Sequence, residues 1–230
     1  FEVDFYRRHG VNVTFVGHPL LETVSAAQSR EAVLERFGLD PSKRTIALLP
    51  GSRHGEVSRH LPTMLAAAKE MQTKDDVQFL LLRASTIDVV DLRKMIAGET
   101  IPIIEQDRYE AVGAADMVWT ASGTATLETA LLSRPMVIVY RMSWLTYFIA
   151  RLLVRVEHIG MVNLIAGKRL VPELVQGDFN PPRLIAESRR LLNDDRGRSA
   201  VVEELTRLRE RLGSPGAADR VAELALGMIA

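Results

Sequence analysis

The sequence predicts an α/β fold built on a parallel sheet, and three observations carry that prediction. Largely apolar runs such as Ile46-Ala47-Leu48-Leu49, Val77 to Leu82 and Met136 to Tyr140 alternate with segments of helical spacing. Strands buried on both faces read as such runs, and the helices between them supply the crossovers that parallel pairing needs. Two glycine-centred turns, Pro50-Gly51-Ser52-Arg53 and Ser122-Gly123-Thr124, each end an apolar run and open a helical segment. Sheets of this class bind ligands beyond the carboxyl ends of their strands, which is where both turns fall.

Taken in order, Val11 to Val16 reads as a first strand that stops at Gly17-His18-Pro19, since proline does not carry a strand onward. A helix over 31–37 closes at Gly38, with Pro41 soon after. The strand Thr45 to Leu49 and the Gly51 turn lead into a helix whose apolar face is Leu61, Met64, Leu65, Ala68 and Met71. Val77 to Leu82 is a buried strand, and Ser85 with Asp88 forms a capping box for a helix running to Ile96. Ile101 to Ile104 is a short strand, and Asp107 with Glu110 caps the helix after it. Met117 to Thr120 feeds the second turn, and Met136 to Tyr140 follows as another apolar strand.

Beyond Arg141 the spacing becomes helical. Leu145, Phe148, Ile149, Leu152, Leu153 and Val156 form an apolar stripe, with Tyr147, Arg151 and Arg155 on another face. The stripe suits core or a subunit contact; with Trp144 it also has the make-up of an interfacial helix. Asn180-Pro181 starts a helix, and a charged helix carries Val202, Leu205, Leu208 and Leu212. Gly213-Ser214-Pro215-Gly216 breaks it, and a last helix holds Val221, Leu224, Ala225 and Met228. This helical tail is expected to pack on another surface rather than extend the sheet.

Composition narrows the function. With 230 residues, 47% hydrophobic and 25% charged, the chain can bury a sizeable core. A net charge of zero excludes a broad electrostatic footprint for nucleic acid. The lack of cysteine excludes disulfides, thiolate nucleophiles and cysteine-ligated metals, and fits a cytoplasmic protein. No apolar stretch reaches the roughly 18 residues of a membrane span. The chain opens at Phe1 in mid-pattern, with neither an initiator methionine nor a leader, as if cut from something longer.

The chemistry is concentrated in the two turns. Gly51, Ser52 and Arg53, and likewise Ser122, Gly123, Thr124, Ala125 and Thr126, place backbone N–H groups and a helix dipole's positive end where a phosphate is well held. Arg53 at a helix start repels the dipole and calls for an anionic partner. Neither turn fits the Walker A pattern, and there is no G-x-G-x-x-G, so phosphate binding is expected without ATPase chemistry. Glu128 is either a dipole partner for its helix or an acceptor for the two hydroxyls of a ribose. The five histidines show no metal-ligand spacing and there is no D-x-D, so no metal site is expected; His18, in a strand-end turn, is the histidine to watch.

Val16-Gly17-His18-Pro19, Leu48-Leu49-Pro50-Gly51-Ser52-Arg53 with Glu56-Val57, and Ala121 to Glu128 follow one another in a set order. Pro135-Met136-Val137 with Val139-Tyr140-Arg141-Met142, and Asn163 to Gly167 with Val171-Pro172-Glu173-Leu174, complete it. Over nearly its whole length the chain resembles the C-terminal part of the lipid-A-disaccharide synthases, metal-independent glycosyltransferases of family 19 with two Rossmann-like domains (the GT-B type).

The resemblance implies a Rossmann-like parallel sheet flanked by helices, with a helical C-terminal tail. It places the end of an N-terminal domain at 1–17, the UDP-sugar-binding domain at 18–195, and helices that pack on the N-terminal domain or exchange in a dimer at 196–230. It implies an inverting transfer of 2,3-diacylglucosamine from UDP to 2,3-diacylglucosamine 1-phosphate, as part of lipid A synthesis in Gram-negative bacteria. The setting would be cytoplasmic, against the inner face of the inner membrane, with no cofactor. Gly51, Ser52 and Arg53 would lie at the nucleotide, the loop from Ser122 to Thr126 at the pyrophosphate, and Glu128 at the ribose. Asn163 would line the same cleft, with His18, Glu56, Arg141 and Glu173 as further candidates, and the general base would come from the N-terminal domain. A UDP-N-acetylglucosamine 2-epimerase, a peptidoglycan glycosyltransferase and a non-catalytic nucleotide-binding or assembly module are the alternatives. The Pro-Gly-Ser-Arg turn and the Val-Tyr-Arg-Met strand end argue against the first two.

Overall fold

In a computed structural model that describes residues 2–143 and 158–229, the apolar runs form one sheet. Its strands are β1 (Arg44–Leu49), β2 (Val77–Leu82), β3 (Ile103–Ile104), β4 (Met117–Ala121), β5 (Met136–Tyr140) and β6 (Glu173–Val175). All neighbours pair in parallel, in the order β3-β2-β1-β4-β5-β6. The order reverses between β1 and β4, which run side by side with Leu48 opposite Trp119 and Leu49 opposite Thr120. Chain crossovers leave this point in opposite directions, so no helix covers the gap above it, and a crevice forms there.

The strand period of two divides the core between the two faces. Ile46 and Leu48 point to one side, with Phe79 and Trp119. There they meet Leu61, Met64 and Met71 of α4 (His54–Lys74) and Leu184 and Leu191 of α9 (Pro181–Asn193). Trp119 is fully buried, and its indole N–H donates to Ser188 Oγ at 2.8 Å, so the ring carries no unpaired donor inside. Ala47 and Leu49 point to the other side, against α3 (Arg30–Arg36), α6 (Arg108–Ala114), α7 (Thr124–Leu131) and α10 (Asp195–Arg211). Burying each of these large side chains contributes about 1.5–3 kcal/mol, so both layers hold the crevice walls firmly.

Four local expectations are corrected. Val11 to Val16 pairs with no strand among the described residues: Val11 and Phe15 are exposed, so no packed neighbour holds a ladder. Asp88 alone caps α5 (Val89–Met95), accepting from Val90 N at 2.8 Å and Asp91 N at 3.1 Å, and Ser85 takes no part. Asp107 sits in the left-handed region (φ 56°) and caps nothing with its side chain, pairing instead with Arg36 at 3.4 Å. Glu110 reaches back to accept from Ala27 N (3.0 Å) and Gln28 N (3.1 Å). Finally β6, a strand of three residues, lies beyond Arg141, where the spacing suggested helices; it is too short to show a period of two.

The Asn180 start holds, its side chain accepting from Arg183 N at 3.1 Å. α9 lies on α4, while α10 buries Leu205 and Leu208 against α7 and α8 (Met161–Ala166), so both flank the sheet. α11 (Ala217–Ile229) leaves Val221, Leu224 and Met228 exposed. The apolar stripe from Leu145 to Val156 lies outside the described residues. Among the described residues no helix is long and apolar enough to cross a membrane.

Candidate functional site

At the reversal point a cleft of about 320 Å³ opens beyond the strands' carboxyl ends. The β1–α4 turn contributes Gly51, Ser52, Arg53 and Glu56, and the β4–α7 turn contributes Ser122, Gly123, Thr124, Ala125 and Glu128. Leu82, Arg83 and Ala84 from the end of β2, with Arg108 from α6, complete one wall. Parallel pairing of β1 with β4 thus brings together two turns some seventy residues apart in the chain.

In the β4–α7 turn, Gly123 has φ 144° and ψ −164°, backbone that essentially only glycine adopts, and the space where its side chain would stand is open. No side chain caps α7, so its N-terminal amides and positive dipole end face the cleft without a protein anion. The Ser122 hydroxyl donates to the carbonyl of Ile159 at 2.7 Å. Thr126 is buried and is not among the lining residues; its hydroxyl donates to the Gly123 carbonyl at 2.8 Å and braces the turn from behind.

The β1–α4 turn is organised by Glu56. Its carboxylate lies 3.2 Å from Ser52 N and 3.4 Å from Arg53 N, and pairs with Arg53 Nη1 at 3.1 Å. Gly51 (φ 128°) makes room for it, because a Cβ there would stand 2.7 Å from Glu56 Oε2. The argument that Arg53 requires an external anion is therefore corrected: Glu56 already answers its charge. Even so, the Arg53 side chain is 83% exposed, so this pair is weak and open to exchange.

Glu128 is the fifth residue of α7, beyond the first turn, which argues against a simple dipole partner. Its carboxylate is only 12% exposed; Arg108 Nη2 donates to Oε2 at 2.6 Å and the Tyr109 hydroxyl donates to Oε1 at 3.1 Å. Burial, and then the charge of Glu128, raise the Tyr109 pKa and keep its phenol protonated. Arg83 donates to Glu105 at 2.7 Å and to the Ile87 carbonyl at 2.6 Å, while its buried Nε has no partner. Sequence reasoning missed Arg83, Arg108 and Tyr109. The available signal was position: they follow β2 and β3 on the same edge of the sheet as the two turns.

The other candidates stand apart from the cleft lining. Asn163 is buried and fully used: its amide donates to Val171 O and Glu173 Oε1, and its oxygen accepts from Leu170 N and Val171 N. Glu173 also accepts from Ile159 N and Gly160 N, both at 3.0 Å. This pair fixes the carbonyl of Ile159 that holds Ser122, a supporting role one layer behind the cleft. Arg141 turns the other way, donating to Thr63 and to the Phe179 carbonyl while stacking on the Phe179 ring. His18 accepts from Leu20 N at 3.2 Å and ties the start of the chain to Leu212 through its own N–H. His60, which the sequence did not single out, is buried and links the carbonyl of Pro50 to the N–H of Arg141. Among the described residues no group of three or more His, Cys, Asp or Glu is placed to hold a metal ion.

A profile of the family described as lipid-A-disaccharide synthetase matches residues 1–224. A lipid-A-disaccharide synthase from Syntrophus aciditrophicus is 49% identical over 233 residues, covering 100% of this chain and 61% of the relative. One from Geobacter sulfurreducens is 42% identical over 232 residues, covering 100% of this chain and 60% of the relative. The chain thus spans about 60% of the length of the curated relatives it matches. Among solved structures, a sucrose-phosphate synthase from Thermosynechococcus elongatus aligns with a TM-score of 0.62 at 12% identity, over 99% of this chain and 56% of that one. WaaG, a glycosyltransferase of lipopolysaccharide biosynthesis, aligns with a TM-score of 0.58 at 13% identity, over 97% of this chain and 60% of that one. At such identities the likeness is one of fold.

Proposed function

The chain belongs to the lipid-A-disaccharide synthetase family, and from that premise we propose that it forms the UDP-sugar-binding part of an inverting glycosyltransferase. The substrates on this reading are UDP-2,3-diacylglucosamine and 2,3-diacylglucosamine 1-phosphate, joined to give the lipid A disaccharide and UDP. One observation carries it: an uncapped helix N-terminus, two glycine turns and a half-sequestered carboxylate share one cleft at the point where strand order reverses. That is the pattern of a phosphate site with a diol acceptor beside it.

The chemistry follows from the leaving group. As the sugar departs, negative charge grows on the diphosphate; the α7 amides meet it, and Arg53 and Arg108 line the same cleft. These groups meet that charge without a cofactor. Inversion also needs a base to take the proton from the acceptor hydroxyl. On this reading the base belongs to the part of the relatives' length that this chain does not span, so the chain alone binds UDP without turnover. Association with the inner membrane's cytoplasmic face, where an acylated acceptor resides, and a homodimer with exchanged C-terminal segments are part of the same proposal.

The experiment is an assay of protein with the relatives' full length on acylated UDP-glucosamine with acylated acceptor, and on UDP-N-acetylglucosamine. Disaccharide and UDP from the acylated pair alone are expected. Epimerisation of the unacylated sugar nucleotide would replace this reading with that of an epimerase.

A further inference from the structure

Three arginines line the cleft, and two of them are occupied by carboxylates that line it too, Arg53 by Glu56 and Arg108 by Glu128. The second pair differs in one respect: its carboxylate has another use. We infer that Arg108 is an exchangeable diphosphate ligand, released from Glu128 when ribose hydroxyls take its place. This rests on the reading of the cleft as a nucleoside diphosphate site.

The geometry supports an exchange. Glu128 is 12% exposed and Arg108 51%, so the carboxylate is the enclosed member and the guanidinium the one open to solvent and ligand. Tyr109 holds Oε1 at 3.1 Å independently, and its phenol stays protonated, so Glu128 keeps its place when Arg108 leaves. Only Oε2 is contested, by Arg108 at 2.6 Å. A ribose offers neutral hydroxyl donors to that oxygen and thereby frees a cation. A diphosphate on the α7 amides offers that cation two or more negative charges in return. Each half of the ligand therefore prepares the site for the other. Inorganic pyrophosphate could recruit Arg108 only by leaving a sequestered Glu128 charge with one partner fewer, and a nucleoside must displace Arg108 with no phosphate to receive it. The arrangement selects for the intact nucleoside diphosphate over either fragment.

The test titrates UDP, uridine and pyrophosphate into wild-type, Arg108→Gln and Glu128→Gln proteins by calorimetry, with circular dichroism to confirm folding. Arg108 is half exposed, so its replacement is expected to leave the fold intact. Arg108→Gln should weaken UDP about tenfold or more, through loss of a charge-assisted bond, while leaving uridine unchanged or a few-fold tighter. Glu128→Gln should weaken UDP but tighten pyrophosphate, because Arg108 is then free. An Arg108→Gln variant that binds UDP as tightly as wild type would overturn the inference. So would equal losses for UDP and uridine, which would make Arg108 only a prop for Glu128. If wild-type protein binds no UDP, the reading of the cleft itself falls, a result distinct from either of these.

Discussion

The side chain of His60 joins the start of the β1–α4 turn to the residue after β5: Nδ1 lies 2.7 Å from the carbonyl oxygen of Pro50, and Nε2 is 2.9 Å from the main-chain N of Arg141. An amide N–H can only donate, so Nε2 accepts, and Nδ1 carries the ring's proton and donates a hydrogen bond to the Pro50 carbonyl. The ring is therefore neutral in the folded state. Burial is the chief reason its pKa is lowered; the Arg141 charge adds to this, while the bond to the Pro50 carbonyl and the Glu56 charge oppose it. Pro50 opens the Gly51 turn and Arg141 directly follows β5, so this bridge helps set the spacing between turn and sheet.

A pH dependence of stability follows. Above the ordinary histidine pKa of about 6.5, folded and unfolded chains both carry neutral His60, and its contribution is complete. As pH falls below that value the unfolded chain binds the proton more readily, so stability declines until the lowered folded pKa is passed. Thermal melts from pH about 7.5 to about 5.5 should show this loss, and His60→Gln should flatten it while lowering stability throughout. Removing the ring leaves two buried backbone groups short of a partner, at a cost of about 1–3 kcal/mol each. A variant with an unchanged pH slope would remove His60 as its source.

Gly51 and Gly123 should respond differently to alanine. At Gly123 the backbone is strained for any other residue but the space is open, so Gly123→Ala should cost only the conformational term, about 1–3 kcal/mol. At Gly51 a Cβ would also meet Glu56 Oε2 at 2.7 Å and Glu56 Cβ at 2.8 Å. Gly51→Ala should thus destabilise more, read as a lower urea midpoint than that of Gly123→Ala. Equal midpoints would mean that Glu56 moves aside without cost.

Arg53→Ala should leave stability nearly unchanged, because the side chain is 83% exposed and surface ion pairs contribute little. UDP affinity should fall by about 1.5–3 kcal/mol, the usual worth of a hydrogen bond to a charged group. Calorimetric titration measures both arms, and an unchanged affinity would take Arg53 out of the site.

Glu128 is predicted to read the ribose. Wild-type protein should bind UDP more tightly than 2′-deoxy-UDP by about 1.5–3 kcal/mol, and Glu128→Gln should erase most of that preference. Competition titrations with the two nucleotides measure it. A preference that survives the substitution would assign ribose recognition to another residue.

The sheet and both turns were legible in the sequence because their signals are local: an apolar run, then glycine with small hydroxyl residues at a strand end. The site's second half was not. Arg108 and Tyr109 stand nineteen and more residues before Glu128, their partner, and nothing in the intervening spacing records that the chain folds α6 against α7's carboxylate. Glu56 was read as a candidate ligand contact, whereas its bonds to Ser52 and Arg53 form only once the helix start closes on itself. β6 escaped because three residues are too few for a period to show, and the bonds by which Asn163 and Glu173 brace the loop at Ile159 join residues that no local pattern links. His60 carries its meaning entirely in two carbonyl and amide partners supplied by distant strand ends.

The central claim is that this cleft holds a UDP group through main-chain amides and arginines. Its most direct test is calorimetric titration of the chain with UDP, repeated in the presence of EDTA. Saturable binding in the micromolar range, about 5–8 kcal/mol, with the same affinity with and without the chelator, is the predicted result. Absence of binding by well-folded protein, or binding abolished by EDTA, would contradict it.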